Sequence, residues 1–116
     1  PRRPSARRTP RVTAIVSVYA TFGSDEEARR IARAIVEERL AACANILGPC
    51  HSIYRWQGEI EEAGEVAAIF KTAADKADAL IARISELHSY DVPAAVVWPI
   101  ASASEPYAQW VTETIG

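Results

Sequence analysis

The chain has 116 residues, one domain's worth, and a chain that short buries only about two-thirds of the surface it exposes when unfolded. With 49% hydrophobic and 24% charged residues it is not a disordered segment, and no apolar run approaches the ~20 residues that span a bilayer. The net charge of −2 hides an asymmetry: five arginines put +5 into the first eleven residues and leave −7 on the rest, which would repel nucleic acid.

Those arginines are Arg2, Arg3, Arg7, Arg8 and Arg11, interspersed with Pro1, Pro4 and Pro10. Proline breaks a helix and nothing apolar anchors the segment, so residues 1–11 are expected to form a flexible basic tail ahead of one domain, 12–116. No apolar core follows Pro1-Arg2-Arg3-Pro4, so the start is not read as a secretory signal. Cys43 and Cys50 are too few for a disulfide framework and stand at no zinc-like spacing. Two reduced thiols fit a cytoplasmic protein.

Val12 to Ala20 reads as a strand with apolar residues on both faces, hence a central strand covered on both sides. Thr21-Phe22-Gly23 is expected to turn. Ser24 and Glu27 have capping-box spacing, and Ala28, Ile31, Ala32, Ile35, Val36 and Leu40 then form an apolar helical stripe. Ala42 to Gln57 is extended, with a break at Gly48-Pro49, and Gln57-Gly58-Glu59 turns the chain into a second long strand, Ile60 to Thr72. The polar run Glu61 to Glu65 is expected to be bulged or loosely paired. Thr72 is expected to cap a helix from Ala73 to Leu87, whose stripe is Ala77, Leu80, Ile81, Ile84 and Leu87. His88 to Asp91 is a loop, and Ala94 to Ile100 a buried strand. Ser104 is expected to cap a short last helix with Pro106 in its first turn.

The order is βαββαβ plus a terminal helix, an α+β ferredoxin-like sandwich with a long hairpin between its second and third strands. Right-handed crossovers put both main helices on one face of an antiparallel sheet. Two helices cannot cover the other face, so the two-sided apolarity of the first and last strands asks for another chain.

Four short motifs carry a family resemblance: Glu37 to Asn45, Ser52 to Gly58, Phe70-Lys71-Thr72 and Leu87 to Pro93, with Tyr107-Ala108-Gln109-Trp110 beyond them. In order and spacing they resemble the CutA family of divalent-cation tolerance proteins. The resemblance implies a homotrimer of ferredoxin-like subunits, related in shape to the PII signalling proteins, and a non-enzymatic function in tolerance of divalent metals, copper especially.

His88 is the leading metal-ligand candidate, because neutral imidazole suits copper and zinc; the next residue is Ser89 where the family's His-Pro-Tyr has proline. Cys43 is the second candidate, as a soft ligand for copper. Ala20 stands where some bacterial relatives carry a further cysteine, and methionine is absent. Tyr54, Trp56, Lys71, His88, Tyr90 and Trp110 are candidates for a subunit-interface pocket, with Lys71 drawing an anion. That pocket supports the alternative function, a PII-like trimer sensing an anionic small molecule. Cys50 and His51 adjoin but lack a partner at ligand spacing. The acidic residues Glu59, Glu61, Glu62 and Glu65 would prefer hard cations to copper.

Rival classes lack their chemistry. No glycine-rich phosphate loop opens at Thr21 to Ser24, and no Ser/His/Asp arrangement is legible. A copper chaperone would need Cys-x-x-Cys. An RNA-binding sheet would need basic residues where the long strands carry acidic ones.

Overall fold

The computed structural model describes residues 14–116. The basic tail assigned to 1–11, and the first two residues of the expected first strand, lie outside them. The elements are β1 (Ile15–Phe22), α1 (Asp25–Glu37), β2 (Cys43–Trp56), β3 (Glu59–Ala73), a 3-10 turn (Ala74–Lys76), α2 (Ala77–Leu87), β4 (Ala95–Pro99) and α3 (Glu105–Ile115). The strands form one sheet in the order β2-β3-β1-β4, with every neighbouring pair antiparallel. This is the expected α+β ferredoxin-like arrangement.

β1 is central, as expected, and buried along nearly its whole length. Its alternate residues Val16, Val18, Ala20 and Phe22 face the core with Val66, Ala68 and Phe70 of β3, and both α1 and α2 pack on that face through Ala28, Ile31, Ile35, Leu80 and Ile84. The strand runs further than expected: Thr21 and Phe22 still pair with Ala67 and Val66, because Phe22 seals the core rather than turning.

Ser24 caps α1 by accepting the Glu27 amide at 3.0 Å. Glu27 reaches back one residue further than a capping box requires, to the Gly23 amide at 3.1 Å. α1 stops at Glu37, before Leu40, in a Schellman motif: Arg39 has φ 61° and the Leu40 amide returns to the Ile35 carbonyl at 3.1 Å.

β2 and β3 form the hairpin. The expected break at Gly48-Pro49 is a bulge: the register slips between Ile46 and Gly48, and Gly48 absorbs it with φ 107°. The acidic stretch of β3, expected to be loose, pairs in regular register with β2. At the tip Gln57 and Gly58 both have positive φ, as a two-residue I′ turn requires.

Two expected caps are absent. Thr72 belongs to β3, opposite Val16, and donates its buried hydroxyl to the Leu40 carbonyl at 2.7 Å, pinning the exit of α1 to the sheet. The chain then makes a 3-10 turn before α2, which starts without a side-chain cap. Ser104 stands at the start of α3 but its side chain makes no cap bond. Pro106 in the first turn pre-sets the helical φ and leaves less for a cap to do.

The far face of the sheet is partly covered by the chain itself. Val111 and Ile115 of α3 close over Ile15 and Ala42. β4, expected to be buried, is an edge strand, and Val96, Val97 and Trp98 are exposed. Trp98 stacks on Tyr19 across the pair, with ring centroids 4.7 Å apart.

Candidate functional site

Where β1 ends, the loop after α2 is fastened underneath. The His88 ring is buried and stacks on Phe22 at 5.0 Å. Its Nδ1 accepts the Tyr90 amide at 3.1 Å, so the proton sits on Nε2, which donates to the Thr21 carbonyl at 2.8 Å. Glu27, also buried, accepts the Ser89 amide at 2.8 Å and the Gly23 amide at 3.1 Å. Burial alone would raise the Glu27 carboxyl, but the hydrogen bonds from Ser89 and Gly23 outweigh it and hold it below the ordinary range.

These ties place Tyr90 against the hairpin. Its hydroxyl donates to Glu65 at 2.9 Å, and Ser52 donates to the other Glu65 oxygen at 2.6 Å. The far face of β2 brings Ser52, Tyr54 and Trp56 to the same side as Glu65. Together with Thr21, and with Asp91, Val92 and Ala94 from the loop, they line an open cavity of about 550 Å³.

Burial and then the Glu65 hydrogen bond push the Tyr90 phenol up to about 12. A folded-state value above the unfolded one favours the folded state below pH about 10, and that contribution disappears as pH rises towards 12. Burial beside Cys43 pushes Tyr107 up to about 12 as well, so an ultraviolet titration of phenolate absorbance is expected to show a late component near pH 12 that Tyr90→Phe reduces by half. An unchanged curve would refute the Tyr90–Glu65 bond.

Of the six expected pocket residues, Tyr54, Trp56 and Tyr90 line the cavity and His88 supports it from beneath, 4.6 Å from the Tyr90 ring. Lys71 and Trp110 are elsewhere. Lys71 reaches Asn45 at 3.4 Å, and Trp110 lies on α3 beside Tyr107. The charged groups of the cavity are therefore the carboxylates Glu65 and Asp91 rather than an ammonium. Cys43 is not brought to His88: it sits opposite Lys71 and contacts the Tyr107 hydroxyl at 3.4 Å. A metal at His88 would have to displace one of the two ring hydrogen bonds. Among the described residues no three His, Cys, Asp or Glu side chains gather at metal-holding distance. Cys50 and His51 are strand residues pointing to opposite faces, and His51 pairs with Glu62 at 2.7 Å.

Residues 16–114 match the family model described as CutA1 divalent ion tolerance protein. The chain belongs to the CutA1 family. The divalent-cation tolerance protein CutA of Thermus thermophilus is 46% identical over 99 residues, covering 85% of this chain and 96% of that protein. Human protein CutA is 37% identical over the same share of this chain, which spans 55% of its length. Among solved structures, CutA of Xylella fastidiosa superposes with a TM-score of 0.87 at 34% identity, covering 90% of this chain and all of that one. The periplasmic divalent cation tolerance protein CutA of Archaeoglobus fulgidus gives 0.85 at 37% identity, covering 88% and 99%. The family is named for tolerance, not for a catalysed reaction. Among the described residues no helix is long and apolar enough to cross a membrane.

Within this CutA1 chain, Glu27 and Asp91 are site residues that sequence reasoning passed over, and Glu65 is one that it weighed only as part of an acidic cluster. Glu27 was visible as a capping residue, but nothing local signals that its second oxygen binds a loop 62 positions away. Glu65 was grouped with Glu59, Glu61 and Glu62. A period-two reading of β3 would have separated Glu62, which faces the other way, from the three that share a face with Trp56 and Tyr54.

Proposed function

We propose that the chain serves tolerance of divalent cations, copper among them, as a non-catalytic cytoplasmic homotrimer. The observation that carries the reading is the family match over residues 16–114, with relatives named for divalent-cation tolerance along nearly their whole length. Exposed apolar side chains on both edge strands support the assembly: Ile53 and Trp56 on β2, Val96 and Trp98 on β4. Such surface, beside unpaired strand edges, is what a second copy covers. The two free thiols fit a reducing compartment, although one similar structure is titled periplasmic and the Arabidopsis relative is named chloroplastic. The anion-sensing alternative has less support, because the cavity presents carboxylates and Lys71 stands outside it.

The test combines growth and mass. Deleting the gene is expected to lower growth on copper, and the intact gene to restore it. Sedimentation is expected to give three times the protomer mass. Unimpaired growth on copper, zinc and cobalt would remove the tolerance reading, and a monomeric mass would remove the trimer. Copper titration of His88→Ala and Cys43→Ala decides whether either side chain is a ligand: unchanged affinity in both excludes them.

A further inference from the structure

We propose that the His88 imidazole of this chain is not a metal ligand but a positioning residue, which holds the loop after α2 through the Tyr90 amide. Tolerance as read above commits to no ligand, so this inference goes beyond it and is tested separately.

The ring nitrogens decide between the two roles. A metal needs a nitrogen lone pair, and a neutral imidazole has a single one. Nε2 carries the proton and donates to the Thr21 carbonyl at 2.8 Å. A ligand histidine also anchors its second nitrogen in this way, so the Thr21 bond suits either role. The lone pair is on Nδ1, and it accepts the Tyr90 amide at 3.1 Å. A metal taking that lone pair would strand the amide without its acceptor. Stacked on Phe22 at 5.0 Å, the ring cannot turn to offer it elsewhere without opening the core.

The neighbouring donors are committed too. Glu27 Oε2 lies 3.7 Å from Nδ1, but it accepts the Ser89 amide at 2.8 Å, and Oε1 accepts the Gly23 amide at 3.1 Å. The Ser89 bond belongs to this sequence: a proline at that place, as in the motif the segment resembles, has no N–H to give. Cys43 is on the other face of the sheet. It stands in a row with Lys71 and Ser17, whereas Phe22, under the His88 ring, faces the helices. Copper and zinc sites gather several convergent ligands, and among the described residues no three His, Cys, Asp or Glu side chains do so. Assembly cannot add one at this ring. The His88 side chain has no exposed surface within its own protomer, so a partner's atoms do not reach its nitrogens. What the ring does instead is tie the end of β1 to Tyr90, whose hydroxyl reaches Glu65 on the hairpin at 2.9 Å.

Long-range proton–nitrogen spectra of the assembled full chain, titrated with zinc chloride, read each ring nitrogen directly. The His88 nitrogens are expected to stay unshifted, with Nε2 as the protonated one, while free imidazole in the same tube shifts. His88→Asn keeps an acceptor for the amide two residues on, as an Asx turn, and His88→Ala keeps none. Exchange of the Tyr90 amide is therefore expected to quicken about tenfold or more in the alanine variant and to be slowed again in the asparagine one. A purely metal-binding role predicts no such rescue. Copper(II) affinity should be unchanged in both variants. A stoichiometric shift of His88 Nδ1 with zinc overturns the proposal. So does copper affinity that falls about tenfold or more in His88→Asn while the Tyr90 amide stays protected. Tyr90 exchange as slow in His88→Ala as in the parent would remove the positioning role. Growth on copper is a separate readout: a deletion strain that grows normally removes the tolerance reading and leaves these spectra to decide the role of His88.

Discussion

Replacing Phe22 by alanine is expected to cost about 3–5 kcal/mol of stability and to loosen the cavity at the same time. Phe22 is fully buried at the last position of β1. One side of its ring meets the edge of Phe70 at 6.5 Å, and the other carries the His88 ring at 5.0 Å. Truncation removes the transfer energy of a large side chain and leaves a void that a sheet and two helices cannot close. The imidazole loses its support while still tied to the Thr21 carbonyl and the Tyr90 amide. Phe22→Leu should cost much less, roughly 1–2 kcal/mol, since it keeps most of the volume. Urea unfolding at fixed protomer concentration measures both, because assembly adds a concentration-dependent contribution. A loss below about 1 kcal/mol for alanine would contradict the packing described.

Glu27→Ala is expected to cost about 2–4 kcal/mol at neutral pH, and less in acid. The carboxylate accepts the Gly23 amide and the Ser89 amide, one on each oxygen, from a nearly buried position. Removing it strands both donors and releases the loop that positions Tyr90. Its pKa is lowered in the folded state, so its contribution is fully present above the unfolded carboxylate value. That contribution is lost as pH falls through the folded one. The stability curves of the parent and the variant should therefore converge between about pH 5 and strongly acidic conditions. Glu27→Gln keeps one acceptor oxygen and should fall between them. Parallel curves down to the acid limit would show that the carboxylate is not the linked group.

Legibility followed the range of the interactions. The apolar stripes of α1 and α2, the Ser24 cap and the Gln57-Gly58 turn rest on neighbours within a few residues, and all were readable from periodicity and turn chemistry. The misread caps fail for the opposite reason. Thr72 has the composition of an N-cap, but a strand partner and the Leu40 carbonyl 32 positions away claim it first. β4 looked buried because its residues are apolar, yet an edge strand is covered on one flank only within a protomer.

By itself the sequence determined the α+β order, the central place of β1 and, through motifs in register from Glu37 to Pro93, the family. Each depends on local patterning or on residue identity at fixed spacing. Only the tertiary structure decided which of Tyr54, Trp56, Lys71, His88, Tyr90 and Trp110 meet, and that carboxylates rather than Lys71 charge their meeting place. Those contacts join a hairpin to a loop some 25 positions on, by way of Tyr90 and Glu65. Strand register and the hydrogen bonds beneath His88 set that meeting, and no local pattern encodes it.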